Sequence, residues 1–266
     1  MDWSARQQLK IIGLILLLVL SIVIIVWLFV SRPNRIPTCF DGRQNSEEMG
    51  VDCGGGCALL CREQTRDLVV LWHVPLRVTD GLYNAVAYIE NQNAAAGIQE
   101  LLYRFRLYDE QDQVITEKEG SISIPPNQRI GVFESGIVTK GTAPVRAFFE
   151  IIGTQKWERT PARFSTEQLV VEGSVYDAKG FNAKLIATLR NPTLQDIADI
   201  SVVALLYDQH KNVVASSRTY VREILHGTST PLVFTWPEKL LLEPARIEII
   251  PLINVFHDVN QEIQAR

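Results

Sequence analysis

Four cysteines are the residues of this chain best placed to do chemistry. Cys39, Cys53, Cys57 and Cys61 lie within 23 residues of one another, and none occurs in the rest of the 266-residue chain. Such a cluster can hold a tetrahedral zinc or close as disulfides. The Cys-x2-Cys knuckle of zinc sites is missing, because three residues separate Cys53 from Cys57 and Cys57 from Cys61. Two disulfides, each worth on the order of 3 kcal/mol, suit a segment with five glycines and almost no apolar core of its own. Three pairings are open to four cysteines, and the sequence does not choose among them. The same stretch offers hard oxygens at Asp41, Asn45, Glu47, Glu48 and Asp52. Asp41, Asn45, Glu48 and Asp52 are therefore the calcium candidates, although their spacing is not that of an EF-hand loop and turn capping is the simpler role for them.

Beyond this cluster the chemistry thins out. The four histidines, His73, His210, His226 and His257, are scattered, the nearest two being sixteen residues apart. There is no Gly-x-Ser-x-Gly elbow, no His-Glu-x-x-His helix and no phosphate-cradling glycine loop. Asp109 and Asp208 fall at strand ends, where a carboxylate commonly caps a turn. Trp72, Trp157 and Trp236 sit in apolar surroundings that favour core or interdomain packing over sugar stacking. No catalytic residue, resident metal or other cofactor is expected. A formal charge of -4 gives no basic face for nucleic acid.

The elements that carry these residues begin with twenty uncharged residues, Ile11 to Val30. A helix of that length spans roughly 30 Å, the thickness of a hydrocarbon core. No small-residue cleavage site ends the run, so it reads as a retained single transmembrane helix. Arg6 and Lys10 on one side balance Arg32 and Arg35 on the other, and flanking charge gives no orientation. The cysteines supply it, since disulfides persist in oxidising compartments. That puts the N-terminus in the cytoplasm and the larger part outside.

From Asp67 onward the pattern is that of β-strands. Leu101, Tyr103, Phe105 and Leu107 alternate with Leu102, Arg104, Arg106 and Tyr108, the period of a strand with one buried face. The pattern returns 99 residues later, where Ile200, Val202, Ala204 and Leu206 alternate with Ser201, Val203, Leu205 and Tyr207. Both copies then read Leu-Tyr-Asp, a polar turn and two apolar residues: Leu107-Tyr108-Asp109 before Val114-Ile115, and Leu206-Tyr207-Asp208 before Val213-Val214. This is one hairpin used twice. Upstream, Tyr83-Asn84-Ala85 matches Phe181-Asn182-Ala183, and Asn91 matches Asn191. These offsets differ by two residues, which predicts a bulge or a longer strand in the second copy. Each unit, about 90 residues with some seven strands, suits a two-sheet sandwich.

Two resemblances add to this reading. Residues 39 to 61 resemble a short cysteine module of extracellular and envelope proteins, with the pattern Cys-x-Asp-Gly-x-x-Asn, Glu, Val-Asp-Cys-Gly-Gly-x-Cys and a last Cys. The matching positions are Cys39, Asp41, Gly42, Asn45, Glu48, Val51, Asp52, Cys53, Gly54, Gly55, Cys57 and Cys61, with three residues instead of two before the last. Phe105, Leu107, Tyr108 and Asp109 resemble the signature of the FxLYD domain, an immunoglobulin-like sandwich of prokaryotic envelope proteins, akin to late-embryogenesis-abundant type sandwiches. The second copy keeps Leu206, Tyr207 and Asp208 and has Ala204 in place of the Phe. The resemblance implies a fold and an envelope setting, with no defined reaction.

The expected order is a stub (1–10), a transmembrane helix (11–30), a cysteine-rich module (31–65), a first β-sandwich (66–153), a linker (154–166), a second sandwich (167–256) and a tail (257–266). The mainly β chain reads as a single-pass, extracytoplasmic binding or scaffold protein of the cell envelope, without catalysis. It would contact the membrane through Ile11 to Val30 and a protein partner outside. Two other readings are an accessory subunit of a secretion or pilus assembly, and a tethered enzyme with a site between the sandwiches.

Overall fold

The structure, a computed structural model, describes residues 3–30, 39–45, 47–160, 169–240 and 243–256, with helix side chains given from Ile12 to Ile25 and at Trp27. Leucine-rich and free of proline, the N-terminal run forms one helix, α1 (Trp3–Val30). No helix among the described residues is long and apolar enough to cross a membrane. The unbroken run of described side chains in α1, Ile12 to Ile25, is exposed throughout, and the expected span at Ile11–Val30 extends past it.

The remainder is mainly β, as its period-two alternation predicts. The strands are β1 (Val69–Thr79), β2 (Leu82–Asn91), β3 (Ala96–Tyr108), β4 (Val114–Ile124), β5 (Gln128–Val138), β6 (Arg146–Ile152), β7 (Glu158–Arg159), β8 (Val170–Asp177), β9 (Ala183–Arg190), β10 (Ile197–Tyr207), β11 (Val213–Ile224), β12 (Ser229–Trp236) and β13 (Arg246–Ile253). Among the described residues they make four antiparallel sheets. Sheet A runs β4-β3-β6 with β7 added on β3, sheet B β1-β2-β5, sheet C β11-β10-β13 and sheet D β12-β9-β8. Sheets A and B enclose one core, built on Ile89, Ile98, Phe105, Leu107 and Ile130. Sheets C and D enclose a second, built on Leu185, Leu189, Ile200, Leu206 and Phe234. Each sandwich thus uses six main strands among the described residues, not the seven expected, with the two-residue β7 as an addition to the first.

The repeat extends to individual hydrogen bonds. Asn91, 1% exposed, donates to the carbonyls of Ala96 (2.8 Å) and Pro125 (2.7 Å) and accepts from the Asn93 amide (3.0 Å). Asn191, fully buried, donates to Gln195 (2.7 Å) and Ile224 (3.1 Å) and accepts from the Thr193 amide (3.1 Å). A short amide side chain here ties a strand end to two loops that would otherwise bury unpaired carbonyls.

The inserted bulge or longer strand predicted for the second copy is absent. The strand β9 is shorter than β2 and pairs with β12 in unbroken register, the irregularity lying in β8 between Glu172 and Val175. The match of Phe181 to Tyr83 misled, because Phe181 is a 98% exposed loop residue and buried Ala183 takes the place of buried Tyr83.

The two sandwiches also pack against each other. The outer faces of sheets B and C pack together through Leu76, Val86, Tyr88 and Phe133 on one side and Val203, Leu205, Tyr207 and Ile250 on the other. This makes a four-sheet stack with three apolar layers. Gly131 on β5 lets β10 approach, since a Cβ there would lie 3.2 Å from Val203 Cγ1. Residues 154–160, read from the sequence as linker, carry β7 and put Trp157 and Thr160 into buried positions beside the first sandwich.

Candidate functional site

The cysteine module is where the sequence placed most of its chemistry. Its pairing is Cys39–Cys57 and Cys53–Cys61, with Cα–Cα distances of 5.7 and 5.1 Å, both within the reach of a disulfide. No cysteine is free among the described residues. The crossed pairing closes two overlapping loops, so that a segment with little core is held at two points.

The calcium candidates do come together, and the backbone occupies much of their oxygen. Asp52 accepts from the amides of Asp41 (3.0 Å) and Gly42 (3.0 and 3.1 Å). Asp41 accepts from the Arg43 amide and from Asn45 Nδ2 (2.8 Å), and Glu48 accepts from the Asn45 amide (3.1 Å). This is the turn-capping arrangement. Cys39, Glu48 and Cys57 lie close enough to suggest a metal cluster, but the two sulfurs are bonded to each other and have no thiolate to offer.

The module is joined to the first sandwich by backbone hydrogen bonds. Leu60 N–H donates to the Trp157 carbonyl and Arg159 N–H to that of Ala58, both at 2.8 Å. Next to this joint a cleft of about 810 Å³ opens on sheet A, lined in part by Glu100, Ser121, Lys156, Glu158 and Asn254. A smaller cleft, about 320 Å³, lies at the seam between the sandwiches. Its walls are mostly apolar, with Arg77 and Glu238 paired across the seam at 3.3 Å.

The signature residues are spread between core and surface. Phe105, Leu107 and Leu206 are core, and Ala204 fills the place of Phe105 in the second copy. Asp109 Oδ1 accepts from the amides of Gln111 (3.0 Å) and Gln113 (2.8 Å), and Asp208 Oδ1 from those of His210 (2.9 Å) and Asn212 (2.8 Å). Partial burial works to raise the Asp208 pKa, and these amides, the Asn212 side chain and His210 outweigh it to leave it lowered. Beside each hairpin an arginine of the strand paired on the other side, β6 or β13, stacks on the tyrosine, Arg146 on Tyr108 at 4.8 Å and Arg246 on Tyr207 at 4.0 Å.

What sequence reasoning missed is the seam. Tyr88 and Tyr207, from different sandwiches, both donate to the carboxylate of Glu248, which also pairs with Arg246 at 2.9 Å. Burial, reinforced by this carboxylate, pushes both phenols above their ordinary pKa. Neutral phenols donating to one shared carboxylate make a polar clasp beside the apolar layer. The signal was in the sequence: Val203, Leu205 and Tyr207 occupy the face of β10 that was read as outward. His210 is exposed in its turn, the His226 ring meets Asp196 at 2.9 Å, and His257 lies outside the described residues. Trp72 packs at the seam against Tyr88, while Trp157 and Trp236 are core.

No family model and no curated protein sequence matches the chain. Among solved structures it is similar to the crystal structure of red sea bream transglutaminase, with 10% identity over 71% of this chain and a TM-score of 0.24. The chain spans 29% of that protein's length.

Proposed function

We propose that the chain is a single-pass, membrane-anchored binding or scaffold protein of the cell envelope, with its sandwiches outside the cytoplasm and no reaction of its own. One contrast carries the reading. Most large apolar side chains of the β part fill three packed layers, whereas those of α1 from Ile12 to Ile25 are exposed on every side. An apolar helix with no polar face has no stable home in water. The two disulfides support an oxidising compartment for the cysteine module and the sandwiches. The stacked sheets and the hydrogen-bonded joint to the module support a rigid body held near a surface, which suits spacing or presenting another protein.

The test uses the full chain in cells. Alkaline carbonate should leave it in the membrane pellet. A membrane-impermeant maleimide should label Glu110→Cys, an exposed turn position, and not Ser4→Cys in intact cells. Release by carbonate would overturn the anchor, and the reverse labelling would overturn the orientation.

A further inference from the structure

The stack has a covered face and an equivalent open one. On sheet B the outer row Val74–Val86–Phe133, one residue from each strand in register, is covered by sheet C. The corresponding row on sheet D is Val175–Ile186–Val233, again one residue per strand in register. These side chains are 61%, 45% and 48% exposed. Three β-branched apolar residues therefore cross the whole width of an open sheet at the positions that, in the sister sandwich, bind a second sheet.

We propose that this face of sheet D docks a second copy of the chain through the same face, as a two-fold dimer. Head-to-tail stacking would instead bring the outer face of another copy's sheet A onto the row. There Arg104, Arg106 and Glu150 stand where sheet C has Val203, Leu205 and Ile250. Arg106 pairs with Glu117 at 2.9 Å and with Glu150 at 3.0 Å, and Arg104 pairs with Glu119. Pressing that network against valine and isoleucine would strip water from five charges, at a cost apolar contact does not repay. Equivalence with the covered face of sheet B thus favours an apolar sheet as occupant, and the charged face of sheet A disfavours an open-ended fibre. The rows beside the apolar one carry both signs, Asp177 opposite Lys184 and Glu172 paired with Arg190 at 3.2 Å. A self-contact therefore does not oppose two faces of one charge sign.

The proposal does not rest on the anchor, and its test separates the two. Full-length protein in detergent would carry one added cysteine, Ile186→Cys or Arg104→Cys, the native four being paired. Mild oxidation should trap a covalent dimer at position 186 and not at position 104. Ile186→Lys, a change at an exposed site, should weaken self-association about tenfold or more. Equal trapping at both positions, as helix-driven or collisional contact would give, would overturn the proposal. So would no trapping at 186, which would leave a different protein as the occupant.

Discussion

The outer faces of sheets B and D come from the same positions of a repeated sandwich and meet opposite fates. Val86 and Ile186 occupy the same place in β2 and β9, yet Val86 is fully buried beneath sheet C and Ile186 is 45% exposed. Around them the faces diverge as their fates require. Tyr88 and Phe133 add bulk to the covered face and Gly131 admits a neighbouring backbone, whereas the open face has Thr188, Val233 and Pro231 at those places. Pro231 also removes a donor from the edge strand β12, a guard against edge-to-edge pairing. One backbone plan has thus been used once to bind a sheet permanently and once to leave a smaller apolar row free. What differs is side-chain volume and charge on a shared register.

The difference between the faces is probed most sharply by placing one charge on each. Val86→Lys should destabilise the fold by at least about 3 kcal/mol, because an ammonium would be sealed between sheets without a partner. At dilutions where the chain is monomeric, Ile186→Lys should change stability by less than about 0.5 kcal/mol. Urea denaturation of the two variants measures the difference, and equal losses would mean that the faces are not differently covered. The buried asparagines come next. Asn91→Ala and Asn191→Ala should each cost about 2 to 3 kcal/mol, since each strands two carbonyls and an amide; unequal costs would show that the duplication is one of outline only.

A smaller effect comes with pH. The phenols of Tyr88 and Tyr207 are raised in the fold, so the folded state keeps their protons after the unfolded chain has begun to lose them. Their contribution is whole below about pH 10, the ordinary phenol value, and falls as pH rises beyond it. Thermal melts should therefore lose Tm above about pH 10, and Tyr88→Phe should flatten that loss while lowering stability at neutral pH. The smallest effects belong to the turns. Asp109→Ala and Asp208→Ala should each cost about 1 kcal/mol, with faster amide exchange confined to the mutated hairpin.

Where one face of a strand was buried and the other wet, the sequence was readable. Both Leu-Tyr-Asp hairpins formed with the same Asx-type cap because period two and a turn-seeking aspartate are local signals. The disulfides were legible from the clustering of the four cysteines, while their pairing needed the fold. The stacking escaped because alternation assigns one face of each strand to solvent by default. In β10 both faces are apolar, as expected of a strand buried on both sides, and the outward set was left unexplained. The strand β7 escaped for a different reason: two residues, Glu158 and Arg159, hold their place by pairing with Ala96 and Gly97 and carry no period of their own. The equivalence of Phe181 with Tyr83 failed because a three-residue likeness was given more weight than the inward pattern of Leu185, Ala187 and Leu189. The candidate calcium oxygens were gathered as expected, and their role as caps became visible only with the backbone amides in place.

If the two sandwiches are one cooperative body joined through sheets B and C, they must melt together, and differential scanning calorimetry of the full chain in detergent reads this out. The stacked arrangement predicts a single unfolding transition for the β part, which Val86→Lys splits into two. Two separate transitions in the unaltered protein, at temperatures that Val86→Lys leaves unchanged in the second sandwich, would contradict it.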